Sequence, residues 1–418
     1  MSDQLEVHYR THPIGVITQR ESELMYFRYG DAWIESPQAF PISLSLPLDG
    51  SFGEAASHHF FANLLPEGNV REQICRSLKI SVNNDFQLLK AIGGDCAGAL
   101  TITDSDLGPP SHPTSQQYEP VTEEQLALWS AGTPDAFSAV TGQNEVRLSL
   151  AGAQDKLPVH VDGDQLLIPL GNAPSTHILK FASPYYSHLP ENETFITLLA
   201  QEVGLAVVDI RVRKSAKAPV ALITRYDRRW SSGEWIRLHQ EDFCQALGIS
   251  PARKYEKEGG PSLRQCVEII RRHTSFPLAD LQRLLQWTMF NLLVGNSDGH
   301  GKNLSLLYEA GGAPKLAPFY DLVCTRNYKK IAREMAMNLG GAWDPDLISA
   351  KHLEQLAHDF AFRPSVVKEQ TTSLCDKVST RLPTVMEKYA NRFGDSAVLE
   401  RLPQMIRKLL RRLEPQLQ

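Results

Sequence analysis

No two of the six cysteines in this 418-residue chain form a C-x-x-C pair. Cys75, Cys96, Cys244, Cys266, Cys324 and Cys375 are scattered, which excludes a structural zinc site built on paired thiols and speaks against a disulfide framework. Reduced, mostly buried thiols are expected instead. No apolar run approaches the roughly 18 residues that a membrane span needs, so no membrane association is expected. The opening MSDQLEVHYRTHP holds acidic residues and no apolar stretch, which predicts no signal peptide and a cytoplasmic protein. An excess of positive charge is missing too. The formal net charge of -5 excludes a global basic surface for wrapping nucleic acid.

What the chain does have is the composition of an ordinary globular enzyme, with 42% hydrophobic and 22% charged residues. Its length exceeds one usual hydrophobic core, so two or three subdomains are expected. Val7–Tyr9, Gly15–Thr18 and Leu24–Tyr29 read as strands of an antiparallel sheet, and His58 to Cys75 has helical spacing broken at Leu65–Gly68. Asp104 to Pro120 is rich in proline and serine without apolar periodicity, a linker. Glu123–Ser130 then reads as a helix. Val146–Leu150, Pro158–Val161, Gln165–Pro169, His177–Phe181, Val207–Val212 and Pro219–Tyr226 read as strands, with a helix at Glu193–Val203. From Gln240 onward the pattern is mainly helical. Leu281–Val294 is apolar nearly all round towards its end and stops at Gly295. Asn303–Tyr308 and Pro314–Phe319 read as paired strands. Leu399–Leu413 is an amphipathic last helix.

The most informative string is Gly295 to Asn303, GNSDGHGKN, in which a buried helix delivers a polar, glycine-rich loop. Its glycines permit sharp turns, so Asp298 and Asn303 can face one space. The D-x-x-x-x-N spacing is that of the protein-kinase catalytic loop, where Asp orients the acceptor hydroxyl and Asn gives an oxygen to Mg²⁺. The alternative is that the two residues merely build a β-turn. Asp321, closing Pro318-Phe319-Tyr320-Asp321, adds a second carboxylate suited to a hard metal ion. His300 lacks an H-x-x-x-H partner, so a backbone- or phosphate-contacting role is expected rather than a zinc ligand. Lys302 is either a phosphate contact or a solvated surface lysine.

Upstream, Ala151, Gly152 and Ala153 followed by Gln154, Asp155 and Lys156 bring small residues where backbone N–H groups can approach an anion. The segment matches no standard glycine-rich fingerprint, and a hairpin turn explains it equally well. Lys180 on a strand, followed by Glu193 on a helix, parallels the kinase lysine–glutamate pair; the alternative is a surface salt bridge. Lys180, Asp298, Asn303 and Asp321 also stand in the kinase order.

Taken together, SLAGAQDK (149–156), THILK (176–180), ENE (191–193), YDRRW (226–230), QEDFCQ (240–245), DGHGKN (298–303) and PFYD (318–321) resemble the HipA family of bacterial toxin serine/threonine kinases. Phe61–Gly68 and Gly93–Leu100 extend the resemblance into the N-terminal region. It implies an α+β fold with a protein-kinase-like bilobal core, an N-terminal antiparallel-sheet subdomain and a largely helical C-terminal lobe. The implied divisions are a subdomain at 1–103, a linker at 104–120, an N-lobe at 121–243 and a C-lobe at 244–418. It also implies ATP and Mg²⁺ as cofactors, with Asp298 as base and Asn303 and Asp321 as metal ligands. ATP would be held by Ala151 to Lys156, Lys180, His300, Lys302 and Tyr320, and by Glu241, Asp242 and Phe243 as a hinge reaching adenine through backbone groups.

Ser149 would be the autophosphorylated serine, its phosphate repelled from the nucleotide so that the loop is ejected. The implied partners are a small HipB-like helix-turn-helix antitoxin and a protein substrate, possible examples including the aminoacyl-tRNA synthetase glutamate–tRNA ligase. Operator DNA is expected only indirectly, through the antitoxin. The basic residues Arg407, Lys408, Arg411 and Arg412 read first as complements to a helix dipole, the alternative being contact with operator DNA in the antitoxin complex. Competing functions are a catalytically silent co-repressor and a small-molecule phosphotransferase, and the intact Lys180, Asp298, Asn303 and Asp321 favour the active kinase.

Overall fold

The computed structural model describes residues 4–20, 23–104, 117–131, 156–171, 173–183, 185–309 and 312–417. Ser149 and the proposed phosphate-loop residues 151–155 lie outside them, as does the strand expected at Val146–Leu150. The fold is mixed α and β, and the chain divides into two compact units.

The first unit comprises Met1–Ser183, Lys214–Ala252 and Leu307–Gly312. Near its start, four antiparallel strands lie in the order Met25–Tyr29, His12–Gln19, Gln4–Tyr9, Leu100–Asp104. Alternation places Leu5 and Val7, and Met25, Phe27 and Tyr29, in one buried set. Helices Glu54–Ala62, Gly68–Leu78 and Asp85–Ile92 complete this core with Phe60, Phe61, Ile74, Phe86 and Leu89. Each such side chain, once buried, contributes about 1.5–3 kcal/mol.

Within the same unit, strands Gln117–Pro120, Gln165–Leu170, Lys156–Asp162, His177–Lys180 and Val220–Thr224 follow one another across a second antiparallel sheet. The end of the expected linker is thus an edge strand, a position where Pro120 costs no ladder bond. Helix Glu123–Ser130, opened by a Thr122–Gln125 capping box, packs Leu126 and Trp129 against this sheet.

A buried charge cluster joins the N-terminal fold to the second sheet. Asp95 pairs with Arg228 at 2.6 Å and Arg237 at 3.2 Å, and accepts from Ser175 Oγ at 2.5 Å. Asp227 binds Arg225 at 2.7 Å and the Gly98 N–H at 2.7 Å. YDRRW is therefore an architectural motif, whose Asp227 and Arg228 are spent on holding residues 95–98.

The second unit comprises Pro184–Arg213, Arg253–Leu306 and Ala313–Gln418. Its helices are Leu189–Glu202, Leu263–His273, Pro277–Val294, Ala350–Phe360, Pro364–Phe393 and Ala397–Leu413. Two helices start earlier than apolar periodicity indicates, at Leu189 and Pro277, because proline in the first turn needs no N–H partner. Leu402, Ile406, Leu409, Leu410 and Leu413 are all buried, as the last amphipathic helix requires. Asn303 differs from expectation: it closes a 3₁₀ turn at Gly301–Asn303, and the strand begins at Ser305. Val207 makes only an isolated parallel bridge to Phe319, with the strand proper at Ile210–Arg213. The first residues after Gln240 are not helical either, since His239–Asp242 is a strand. All six cysteines are buried and none is in a disulfide. Among the described residues, no helix is long and apolar enough to cross a membrane.

Candidate active site

Helix Pro277–Val294 ends on Gly295, whose φ of 71° is the left-handed conformation that closes a helix without a Cβ penalty. Two asparagines then shape the loop. Asn296 donates to the Asn291 side chain at 2.9 Å and accepts the Asp298 N–H at 3.1 Å. Gly301 is needed for close approach, because a Cβ there would sit 2.4 Å from Cγ of Pro261. The backbone makes two tight closures, His300 N–H to Asp298 O at 3.0 Å and Asn303 N–H to His300 O at 2.9 Å. A single β-turn from Asp298 to Asn303 does not describe it. Asp298 is exposed while its neighbours on both sides are buried, so the loop presents one carboxylate to solvent.

The polar contacts take in six of the residues singled out above, Asp298, His300, Lys302, Asn303, Tyr320 and Asp321. Tyr255 donates its hydroxyl to Asp298 Oδ1 at 2.6 Å, and its ring meets the His300 imidazole edge-on with centroids 5.3 Å apart. The His300 N–H donates to Asn303 Oδ1 at 3.1 Å, and Asn303 Nδ2 donates to Asp321 Oδ2 at 3.2 Å. Tyr320 donates to the Lys302 carbonyl at 2.8 Å and shares a 2.7 Å hydrogen bond with Ser305. Lys302 is 8% exposed, which removes the solvated-lysine reading. Thr325 ties the loop to the segment after Asp321, accepting from Ser297 N–H at 2.7 Å and donating to the Gly295 carbonyl at 3.1 Å.

Asn303 turns its Nδ2 to the Asp321 carboxylate and its Oδ1 to the His300 N–H; with the Asn303 amide turned over, its oxygen and the carboxylate would give Mg²⁺ the hard donors it prefers. Among the described residues no three His, Cys, Asp or Glu side chains form a metal-binding group. Asp321 has φ 56°, a left-handed conformation uncommon outside glycine and costing about 1 kcal/mol or more.

In the first unit, Lys180 is 5% exposed on its strand. The Glu241 side chain is buried and accepts from Ser43 Oγ, Tyr308 Oη and, at 3.1 Å, the Leu44 N–H. Asp242 caps the short helix Phe243–Ala246 through a reciprocal bond with Gln245. Both carboxylates are thus engaged in structure, and the Asp242 N–H donates to Gln245 Oε1 at 2.9 Å. Glu193 is 1% exposed within helix Leu189–Glu202 of the second unit. Near the C-terminus, Arg412 pairs with Asp346 at 2.8 Å. Sequence reasoning gave no role to Tyr255 or to Asn296. Only Asn296, two residues before an Asp in a glycine-rich loop, carried a local turn signal.

These features define a kinase-like phosphotransferase architecture, and comparison with known proteins gives the family. A model of the HipA-like C-terminal domain matches residues 148–384, and one of the HipA N-terminal domain matches residues 5–103. The chain belongs to the HipA family of kinase toxins. It is 37% identical to Y4mE of Sinorhizobium fredii, named as a candidate kinase, over 92% of each chain. It is 31% identical to the serine/threonine-protein kinase toxin HipA of Shewanella oneidensis, over 91% of this chain and 89% of that one. A solved structure of the Shewanella oneidensis HipA, HipB and operator DNA complex matches with a TM-score of 0.83 and 28% identity. That match covers 99% of this chain and 97% of the other.

Proposed function

We propose that this chain transfers the γ-phosphate of ATP to a serine or threonine hydroxyl of a protein target and to its own Ser149. The observation that carries the reading is one loop that exposes Asp298 and sets Asn303 against Asp321 at 3.2 Å. Asp298 orients the acceptor hydroxyl and takes its proton as the oxygen attacks the γ-phosphorus and the bond to the β,γ-bridging oxygen breaks, releasing ADP. Asn303 and Asp321 hold Mg²⁺, which when bound offsets charge on the phosphate oxygens. Lys180, Lys302 and Ala151 to Lys156 contact phosphates, His300 and Tyr320 line the nucleotide, and the 241–243 main chain reads adenine. Glu193 serves as the partner of Lys180. The proposed organisation is a subdomain to about residue 103, an N-lobe from 121 to 243 and a C-lobe from 244 to 418.

A HipB-like antitoxin is the proposed partner, on the strength of the similar chain solved with HipB and operator DNA. An aminoacyl-tRNA synthetase is the proposed kind of target. Incubation with Mg²⁺ and ATP should add one phosphate at Ser149, read by intact mass and peptide mapping, and Asp298→Asn should abolish it. Normal labelling of that variant would remove Asp298 as the base. Growth arrest on expression, relieved by a cognate helix-turn-helix protein, separates a toxin from a metabolic kinase.

A further inference from the structure

Asp321 lies in a short stretch whose backbone is held from both sides by one segment of the second unit, residues 184–213. Before it, the Phe319 N–H donates to the Ala206 carbonyl at 2.8 Å, and the Val208 N–H donates to the Phe319 carbonyl at 3.0 Å. After it, Asn192 behaves as a surrogate strand. Its Oδ1 accepts the Cys324 N–H at 2.9 Å, and its Nδ2 donates to the Cys324 carbonyl at 3.1 Å. The same Nδ2 donates to Tyr328 Oη at 3.1 Å, and that hydroxyl donates to the Ser187 carbonyl at 3.2 Å. Asn192 is 0% exposed, so these bonds exchange with no water.

Between the two anchors stands Asp321 at φ 56°. A strained residue of this kind persists only where its surroundings over-determine it. An aspartate in an extended conformation would aim its carboxylate elsewhere, so the clamp and the aim of the carboxylate are one constraint. Helix Leu189–Glu202 makes the clamp rigid, since Pro190 starts it and Asn192 lies in its first turn. A bidentate match to one residue's N–H and C=O needs a primary amide. An aspartate at 192 would meet the Cys324 carbonyl with a second acceptor.

We propose that Asn192 is a positioning residue for the metal-binding carboxylate of Asp321, acting through the backbone of residues 322–324. This rests on the reading of Asp321 as a metal ligand. The alternative is that Asn192 only stabilises the fold.

The test is Mn²⁺ binding to the full chain with a non-hydrolysable ATP analogue, read by electron paramagnetic resonance and independent of turnover. Asn192→Ala and Asn192→Asp should each weaken Mn²⁺ about 10-fold, with affinity for the analogue in chelator unchanged. Leu356→Ala, a core truncation in helix Ala350–Phe360, is the control for lost stability and should leave Mn²⁺ affinity intact. Asn192 variants that melt earlier yet bind Mn²⁺ like the unaltered protein overturn the proposal. If the unaltered protein binds no Mn²⁺ with the analogue, or Asp321→Ala binds it normally, the underlying metal reading falls instead, and this proposal with it.

Discussion

The Tyr255 hydroxyl donates to Oδ1 of Asp298 at 2.6 Å, so one oxygen of the exposed carboxylate is already engaged. In the proposed reaction this hydrogen bond would orient the carboxylate and leave its other oxygen for the acceptor hydroxyl. Tyr255→Phe keeps the ring contact with His300 and deletes only this donor. Its expected effect is a fall in kcat of about 10-fold, the cost of roughly 1.4 kcal/mol, with KM for Mg·ATP unchanged. Equal kcat values in a steady-state phosphorylation assay would show that the bond is incidental.

Asn303 and Asp321 form the second pair. Asp321→Ala removes the negatively charged oxygen donor, and transfer should drop more than about 100-fold. Asn303→Ala retains that carboxylate and should raise the Mg²⁺ concentration needed for half-maximal rate. A metal titration of both variants at fixed ATP reads the difference.

Asp95 is the centre of the buried charge cluster. Burial pushes its carboxyl up, but the guanidiniums of Arg228, Arg237 and Arg225 outweigh this and hold it well below the usual carboxylate range. Its stabilisation is therefore present above the unfolded value near 3.8 and is lost as pH falls through the depressed folded value. Asp95→Asn leaves three arginines without that charge, and about 3–5 kcal/mol of stability should disappear. Urea denaturation near neutral pH measures it.

Glu241 has the opposite sign. Burial pushes its carboxyl from 4.5 up to about 7, although bonds from Ser43, Tyr308 and the Leu44 N–H pull the other way. The folded state holds this proton more tightly than the unfolded chain does. Its contribution is full below about 4.5 and is lost as pH rises through about 7. Glu241→Gln should flatten that decline, by an amount on the order of a few kcal/mol between about pH 5 and 8. Melting temperatures of both proteins across that range provide the check.

Much of this was legible in the chain itself. The helix ending at Gly295, the loop holding Asp298 and Asn303, the acidic residue at 321 and the last amphipathic helix all follow from local signals. Those signals are apolar periodicity, a glycine stop and the spacing of oxygen-bearing side chains, which act over a few residues. Side-chain burial was less legible. Lys302 read equally as solvated, and Glu241 gave no sign that its carboxylate faces Ser43 and Tyr308.

Tertiary structure alone decided the long-range pairs. Tyr255 reaches Asp298, Asn192 grips Cys324, and Asp95 gathers Arg225, Arg228 and Arg237 across wide separations in sequence. No local propensity encodes such contacts, because they depend on where packed elements place distant side chains. The sequence alone determined which oxygen-bearing side chains the glycine-rich loop and the stretch at 321 offer. Folding decided which oxygen of Asp298 meets Tyr255 and how Asp321 is held, since both depend on bonds from residues far along the chain.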